Sequence, residues 1–137
     1  MTNLRVVIDT NTLVSGVLIA ASVTDLAVQR ARSLGTLLFS VATFAELSQV
    51  IFRPKFDRYV STDIRAEFIA RLAETSEQVN IIEKITACRD PKDDQFLDVA
   101  VNGKANVLMT GDQDLLVLRS FRGVEIVSPA QFLDADR

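Results

Sequence analysis

The chain contains no histidine, and that absence removes more chemistry than any residue present adds. Ser-His-Asp and Cys-His hydrolysis, histidine acid/base cleavage of RNA and histidine-ligated metals are all excluded. Cysteine is nearly as scarce. Cys88 stands alone, so neither an intrachain disulfide nor a zinc-thiolate cluster can form, and without an imidazole to activate it the thiol reads as a small core side chain. A basic excess is missing as well: the net charge is −3, which argues against a nucleic-acid binder that relies on a generally basic face. It leaves room for a nuclease with an acidic pocket and a local basic stretch. No apolar run approaches the roughly 20 residues a membrane span needs. The start, Met1-Thr2-Asn3-Leu4-Arg5, lacks the pattern of a signal peptide, and the expectation is a cytoplasmic protein with no membrane attachment.

What remains is an ordinary globular composition, 48% hydrophobic and 24% charged, over 137 residues. That length suits a single domain spanning 1–137 with one sizeable core. Leu4 to Ile8 is β-branched and nearly all apolar, as a strand buried on both faces should be. Helical stretches are expected at Thr12 to Ala20 and Thr24 to Leu34, with Thr24 as N-cap and Gly35 as the stop. Thr36 to Ser40 reads as a second strand. Thr43 to Phe52 reads as a helix broken by Arg53-Pro54. A further helix starts at Ser61 or Thr62, with Ile64, Phe68, Ile69 and Leu72 as its apolar stripe, and Val79 to Ile82 reads as a strand. Asp90-Pro91 marks a helix start that runs to Gly103. Val107 to Thr110 and Val124 to Val127 are strands, with a helical turn at Leu115 to Leu118 between them. Strands alternating with helices predict an α/β fold, a mostly parallel sheet covered on both faces. In such sheets the functional crevice lies beyond the carboxyl ends of the strands.

Acidic residues recur at the ends of these apolar segments. Asp9 closes the first strand, Asp112 follows Val107 to Gly111, and Glu46 and the Asp93-Asp94 pair sit beside apolar helical segments. Each has a structural explanation of its own. Asp9 and Asp112 suit turns or helix caps, Glu46 completes a capping box if Thr43 is the N-cap, and Asp90 and Asp93 suit the positive end of a helix dipole. Asp94 shares a helix face with Leu97 and so borders the buried stripe, an unusual place for an unpaired acid. Carboxylates brought together repel unless a cation neutralises them, and hard oxygen donors favour Mg²⁺ or Mn²⁺.

In order and spacing, Val7-Ile8-Asp9-Thr10-Asn11, Ala45-Glu46-Leu47, Arg53-Pro54-Lys55-Phe56, Asp90-Pro91-Lys92-Asp93-Asp94-Gln95-Phe96-Leu97 and Thr110-Gly111-Asp112 resemble the PIN-domain family. They resemble in particular the bacterial and archaeal branch of toxin components of toxin-antitoxin systems. The resemblance covers essentially the whole chain. It implies an α/β/α sandwich, and by position the family's acidic quartet falls on Asp9, Glu46, Asp94 and Asp112. Asp93 and Asp114 stand close enough in sequence to be alternatives. Asn11 and Thr110 match polar positions that support the acids or the attacking water. The activity implied is Mg²⁺-dependent endonucleolytic hydrolysis of RNA, with Mn²⁺ as a substitute, a cognate antitoxin protein as inhibitor and a homodimer as the assembly. Arg53, Lys55 and Arg58, interleaved with Phe56 and Tyr59, are the candidate RNA contacts, since stacking and phosphate pairing use those residue types. One alternative is a PIN-like module that binds metal or RNA without cleaving. A phosphate-accepting response-regulator domain ranks below both, because an acidic pair before the first strand end and a late strand-end lysine are missing.

Overall fold

The computed structural model describes residues 3–137; Met1 and Thr2, where the chain-start reading began, lie outside the described residues. Strand β1 (Leu4–Ile8) leads into α1 (Thr10–Leu18) and α2 (Val23–Leu34), then β2 (Gly35–Phe39) and α3 (Val41–Ile51). A single 3₁₀ turn (Pro54–Phe56) precedes α4 (Thr62–Thr75) and the two-residue β3 (Glu77–Gln78). After a long irregular connection come α5 (Pro91–Asn102), β4 (Val107–Met109), α6 (Gln113–Leu116), β5 (Ser120–Phe121), β6 (Val124–Val127) and α7 (Pro129–Asp134).

The six strands order as β3-β2-β1-β4-β6-β5. All neighbours are parallel except β5, which pairs antiparallel with β6. Side chains alternate across the sheet with the period of two that strand geometry imposes. Val6, Ile8, Leu37, Phe39, Val107 and Met109 pack on one face against Leu13, Leu47, Leu72 and Phe132 from α1, α3, α4 and α7. Val7, Leu38, Leu108 and Ile126 pack on the other, against Phe96, Leu97 and Ala100 of α5 and Leu115 of α6. Each such side chain, fully buried, contributes about 1.5–3 kcal/mol, so the two apolar layers dominate folding. The result is the α/β/α sandwich expected, with a mostly parallel sheet. Among the described residues no single helix is long and apolar enough to cross a membrane.

The β1–β2 pairing depends on one missing side chain. A Cβ at Gly35 would lie 1.7 Å from the carbonyl oxygen of Leu4, its partner in register, so any larger residue forces the strands apart.

Several elements differ from the sequence reading. The strand expected at Val79 to Ile82 is absent: pairing starts two residues earlier and ends where the Val79 N–H donates to the Phe39 carbonyl at 2.7 Å. From there to Asp90 the backbone donates to side chains of α5 instead of to a strand. Ile64 points outward on α4, and its place in the stripe is taken by Arg65, which is fully buried. Arg65 Nη1 donates to the Ile51 carbonyl at 2.9 Å and Nη2 to Asp57 Oδ1 at 2.5 Å, tying the 3₁₀ turn to the end of α3. The N-cap of α2 is Ser22 and not Thr24. The capping box of α3 is Ser40 with Thr43, which removes Thr43 as N-cap and frees Glu46 from a capping role. Strand β5 and helix α7 are additional to the sequence reading.

Candidate metal centre

Strand order reverses beside β1: the chain builds outward through β2 and β3 on one side, then returns through α5 to place β4 on the other. That switch point opens a crevice at the carboxyl ends of β1 and β4, where Asp9 and Asp112 stand. The Asp9 N–H still donates to the Met109 carbonyl at 3.2 Å, so it leaves the sheet in register with β4.

Local structure then fixes both acids. Asp9 is the N-cap of α1, its Oδ1 accepting from the Thr12 N–H at 2.9 Å. Its Oδ2 accepts from the Thr110 hydroxyl at 2.5 Å, and the same hydroxyl accepts from the Asp112 N–H at 3.0 Å. Thr110, fully buried, therefore couples the two strand ends. Asp112 caps α6, with Oδ1 accepting from the Asp114 N–H at 2.9 Å. Asp9, Asn11, Thr12, Ser15, Thr24, Gly111, Asp112 and Pro129 line a cleft of about 380 Å³. Asn11 is exposed on its wall.

Helix α5 supplies the acids from the opposite side. Asp90 is its N-cap and Pro91 its first residue, as its sequence announces. Asp93 faces the end of β4: carboxylate oxygens of Asp93, Asp112 and Asp114 all lie within 4.8 Å of one another, and all three side chains are half-buried. Asp94 is buried, but its Oδ1 accepts from the backbone N–H groups of Ala87 at 3.0 Å and Cys88 at 2.8 Å. Glu46, half-buried on α3, accepts through Oε2 from the Gln95 carboxamide, which ties it to the first turns of α5. Of the four acids carried over by resemblance, Asp9 and Asp112 share the cleft, while Glu46 accepts from Gln95 of α5 and Asp94 from the backbone of Ala87 and Cys88. Asp93 and Asp114 make the close contacts with Asp112. Arg53, Lys55 and Arg58 are exposed around the 3₁₀ turn, with the Lys55 ammonium 5.1 Å from the Phe56 ring centre and the Arg58 guanidinium 5.4 Å from that of Tyr59.

The sequence reading lacked two side chains that touch the acids: Gln95, on Glu46, and Arg89, whose Nη2 is 3.3 Å from Asp114 Oδ1. Gln95 lies in the quoted Asp90-to-Leu97 motif and Arg89 directly precedes it. Adjacency to the acids was the only signal available.

Electrostatics mark the cluster as short of positive charge. Burial, then repulsion from Asp112 and its neighbours, pushes the Asp93 carboxyl up to about 6. Burial also raises Asp9 above the ordinary carboxylate range, with Asp112 adding repulsion, although hydrogen bonds from Thr110 and Thr12 work the other way. Desolvation and the Asp94 carboxylate push the Cys88 thiol up to about 12, so it is no nucleophile. The donor set is all carboxylate oxygen, and its excess negative charge is what a hard divalent cation neutralises. Asp93, Asp112 and Asp114 thus fit a metal.

The sequence can be set beside known proteins. Residues 5–114, from β1 through the acids after β4, match the family model described as PIN domain. The uncharacterized protein MJ1680 of Methanocaldococcus jannaschii is 29% identical over 121 residues, covering 85% of this chain and 76% of its own length. PIN domains are generally nucleases and typically bind a divalent metal, in keeping with an acidic cluster at a strand switch point. With that match spanning the sheet's centre and both walls of the cleft, the chain belongs to the PIN-domain family.

Proposed function

We propose that this protein is a Mg²⁺-dependent endoribonuclease, able to use Mn²⁺, and that it acts as the toxin of a toxin-antitoxin pair in the cytoplasm. One observation carries the nuclease reading: carboxylates of Asp93, Asp112 and Asp114 converge beside Asp9 at the switch point, with no histidine anywhere to serve as base. Asp9, Asp93, Asp112 and Asp114 would hold the ion. Bound there, it would neutralise the phosphate and acidify an attacking water.

The chain's own groups supply the rest. Thr110 holds Asp9 and the Asp112 backbone in one orientation. Gln95 engages one oxygen of Glu46, leaving Oε1 to orient the water and accept its proton. Asp94 fixes the loop that precedes α5, its Oδ1 taken by two backbone N–H groups. Asn11, on the cleft wall, offers an amide to the substrate. Arg53, Lys55 and Arg58 meet the RNA strand farther along, presenting cations beside aromatic rings.

Toxin status requires a cognate inhibitor, which in this reading is a protein that places a basic side chain in the acidic pocket. A homodimer is the expected assembly, and residues 1–137 act as one nuclease domain. The deciding experiment compares cleavage of RNA and a DNA control with Mg²⁺, with chelator, and by Asp9→Asn. Asparagine preserves the helix cap while removing the charge. Cleavage that survives chelator, or an undiminished variant, sinks the mechanism. Toxicity on expression, relieved by a small neighbouring gene, tests the toxin assignment separately.

A further inference from the structure

Residues 79–90 form a twelve-residue connection without regular structure, yet the backbone is held along much of its course. Asp94, Asp98 and Asn102, four residues apart on one face of α5, accept its N–H groups in sequence. Asp94 takes Ala87 and Cys88, Asp98 takes Ile85 at 2.7 Å, and Asn102 takes Ile82 at 3.0 Å and Glu83 at 2.9 Å. The Asn102 amide returns a bond to the Glu83 carbonyl at 2.7 Å. Arg89 follows this ladder directly and precedes Asp90, the α5 cap, so its backbone is fixed from both sides.

Its side chain is the opposite, 86% exposed, and among the described residues its one ion pair is with Asp114 at 3.3 Å. It makes no hydrogen bond there. A guanidinium offers five donors in a planar fork that matches phosphate oxygens, and this one is almost entirely unused. The acids beside it would repel an incoming phosphodiester, and Arg89 is the cation paired with that trio.

We propose that Arg89 is a phosphate-binding residue, held at the rim of the acidic cluster by the Asp94–Asp98–Asn102 ladder and paired with Asp114 until an RNA phosphate replaces that partner. The proposal rests on the nuclease reading above. A cation held by Asp93, Asp112 and Asp114 would compete with Arg89 for the Asp114 carboxylate and free the fork. Arg89 then bonds a non-bridging oxygen and sets the strand against the acids.

The test uses the full chain with Arg89→Gln and Arg89→Lys. Mn²⁺ affinity, measured calorimetrically without RNA, should stay the same in Arg89→Gln or tighten by up to about fivefold as competition for Asp114 is lost. With Mg²⁺ the KM for single-stranded RNA should rise about tenfold, with a smaller change in kcat. The salt dependence of log KM should flatten by about 0.7 per decade. Arg89→Lys should recover part of the loss. Weaker Mn²⁺ binding in Arg89→Gln would make Arg89 a builder of the metal site and overturn the proposal, as would an unchanged KM in an active enzyme. Failure of the unaltered protein to cleave RNA overturns the proposed function first, and this phosphate contact with it.

Discussion

Asp93→Asn should make the metal-free protein more stable and its metal-loaded form less so. In the fold the Asp93 carboxyl is pushed up to about 6, against an ordinary aspartate near 4. Two units correspond to about 3 kcal/mol of disfavoured ionisation, and solvent screening of this half-buried side chain reduces that to about 1.5 kcal/mol. Because the folded state binds the proton more tightly than the unfolded chain, the penalty is absent below about pH 4, grows through pH 6 and is complete at pH 7. Asparagine removes it. Thermal unfolding in chelator at pH 7 should therefore show the variant about 5 °C more stable, and at pH 4 the difference should vanish. Saturating Mg²⁺ reverses the order. An ion at a hundred times its Kd stabilises the unaltered protein by about 2.7 kcal/mol, and the variant should lose most of that gain. Equal melting temperatures in chelator at pH 7, or equal Mg²⁺ shifts, would refute the role assigned to Asp93.

Three further outcomes follow from the packing. Gly35→Ala should cost about 4 kcal/mol in urea unfolding, because its Cβ would collide with the Leu4 carbonyl, and a loss under about 1 kcal/mol would refute that contact. Arg65→Ala should cost about 3–5 kcal/mol, since it empties the space of a fully buried side chain and leaves the Ile51 carbonyl without its donor; a near-neutral urea midpoint would show that the clamp is dispensable. With its thiol near 12, Cys88 is ionised in only about one molecule in ten thousand at pH 8, so an aromatic disulfide reagent should modify it far more slowly than a free thiol. Asp94→Asn should speed that reaction, and a free-thiol rate in the unaltered protein would contradict the burial described.

The centre of the fold was legible because β1 and β4 are apolar on both faces, a pattern that ordinary alternation does not mimic. Asp9 and Asp112 were legible for the same reason, since acids that end such runs fall at the sheet's carboxyl edge. Asp90-Pro91 gave the start of α5 from capping chemistry alone. The third acid was harder. Asp93 and Asp94 are neighbours about 100° apart on a helix, and which one meets Asp112 depends on the path of the preceding loop. Bordering the buried stripe did place Asp94 inside, but its oxygen meets the backbone of Ala87 and Cys88, contacts with no periodic signature. The Val79 to Ile82 strand failed for a related reason, with N–H groups satisfied by side chains about twenty residues away. Arg65 escaped because a stripe defined by apolar letters skips a guanidinium. Helix α7 was missed, although Ser128, Pro129 and Gln131 spell out its capping box.

Asp9 and Asp112 each give one oxygen to the start of a helix. Asparagine caps nearly as well as aspartate, and one nucleotide transition separates their codons. Chemistry at these two positions is therefore genetically fragile while architecture is not: a lineage released from selection for cleavage can lose the charge in a single step and still fold. Alanine carries a cost of about 1 kcal/mol at each cap, so decay should run through asparagine first. In a descendant with this fold, asparagine at either strand end would be the mark of a former enzyme that kept its shape.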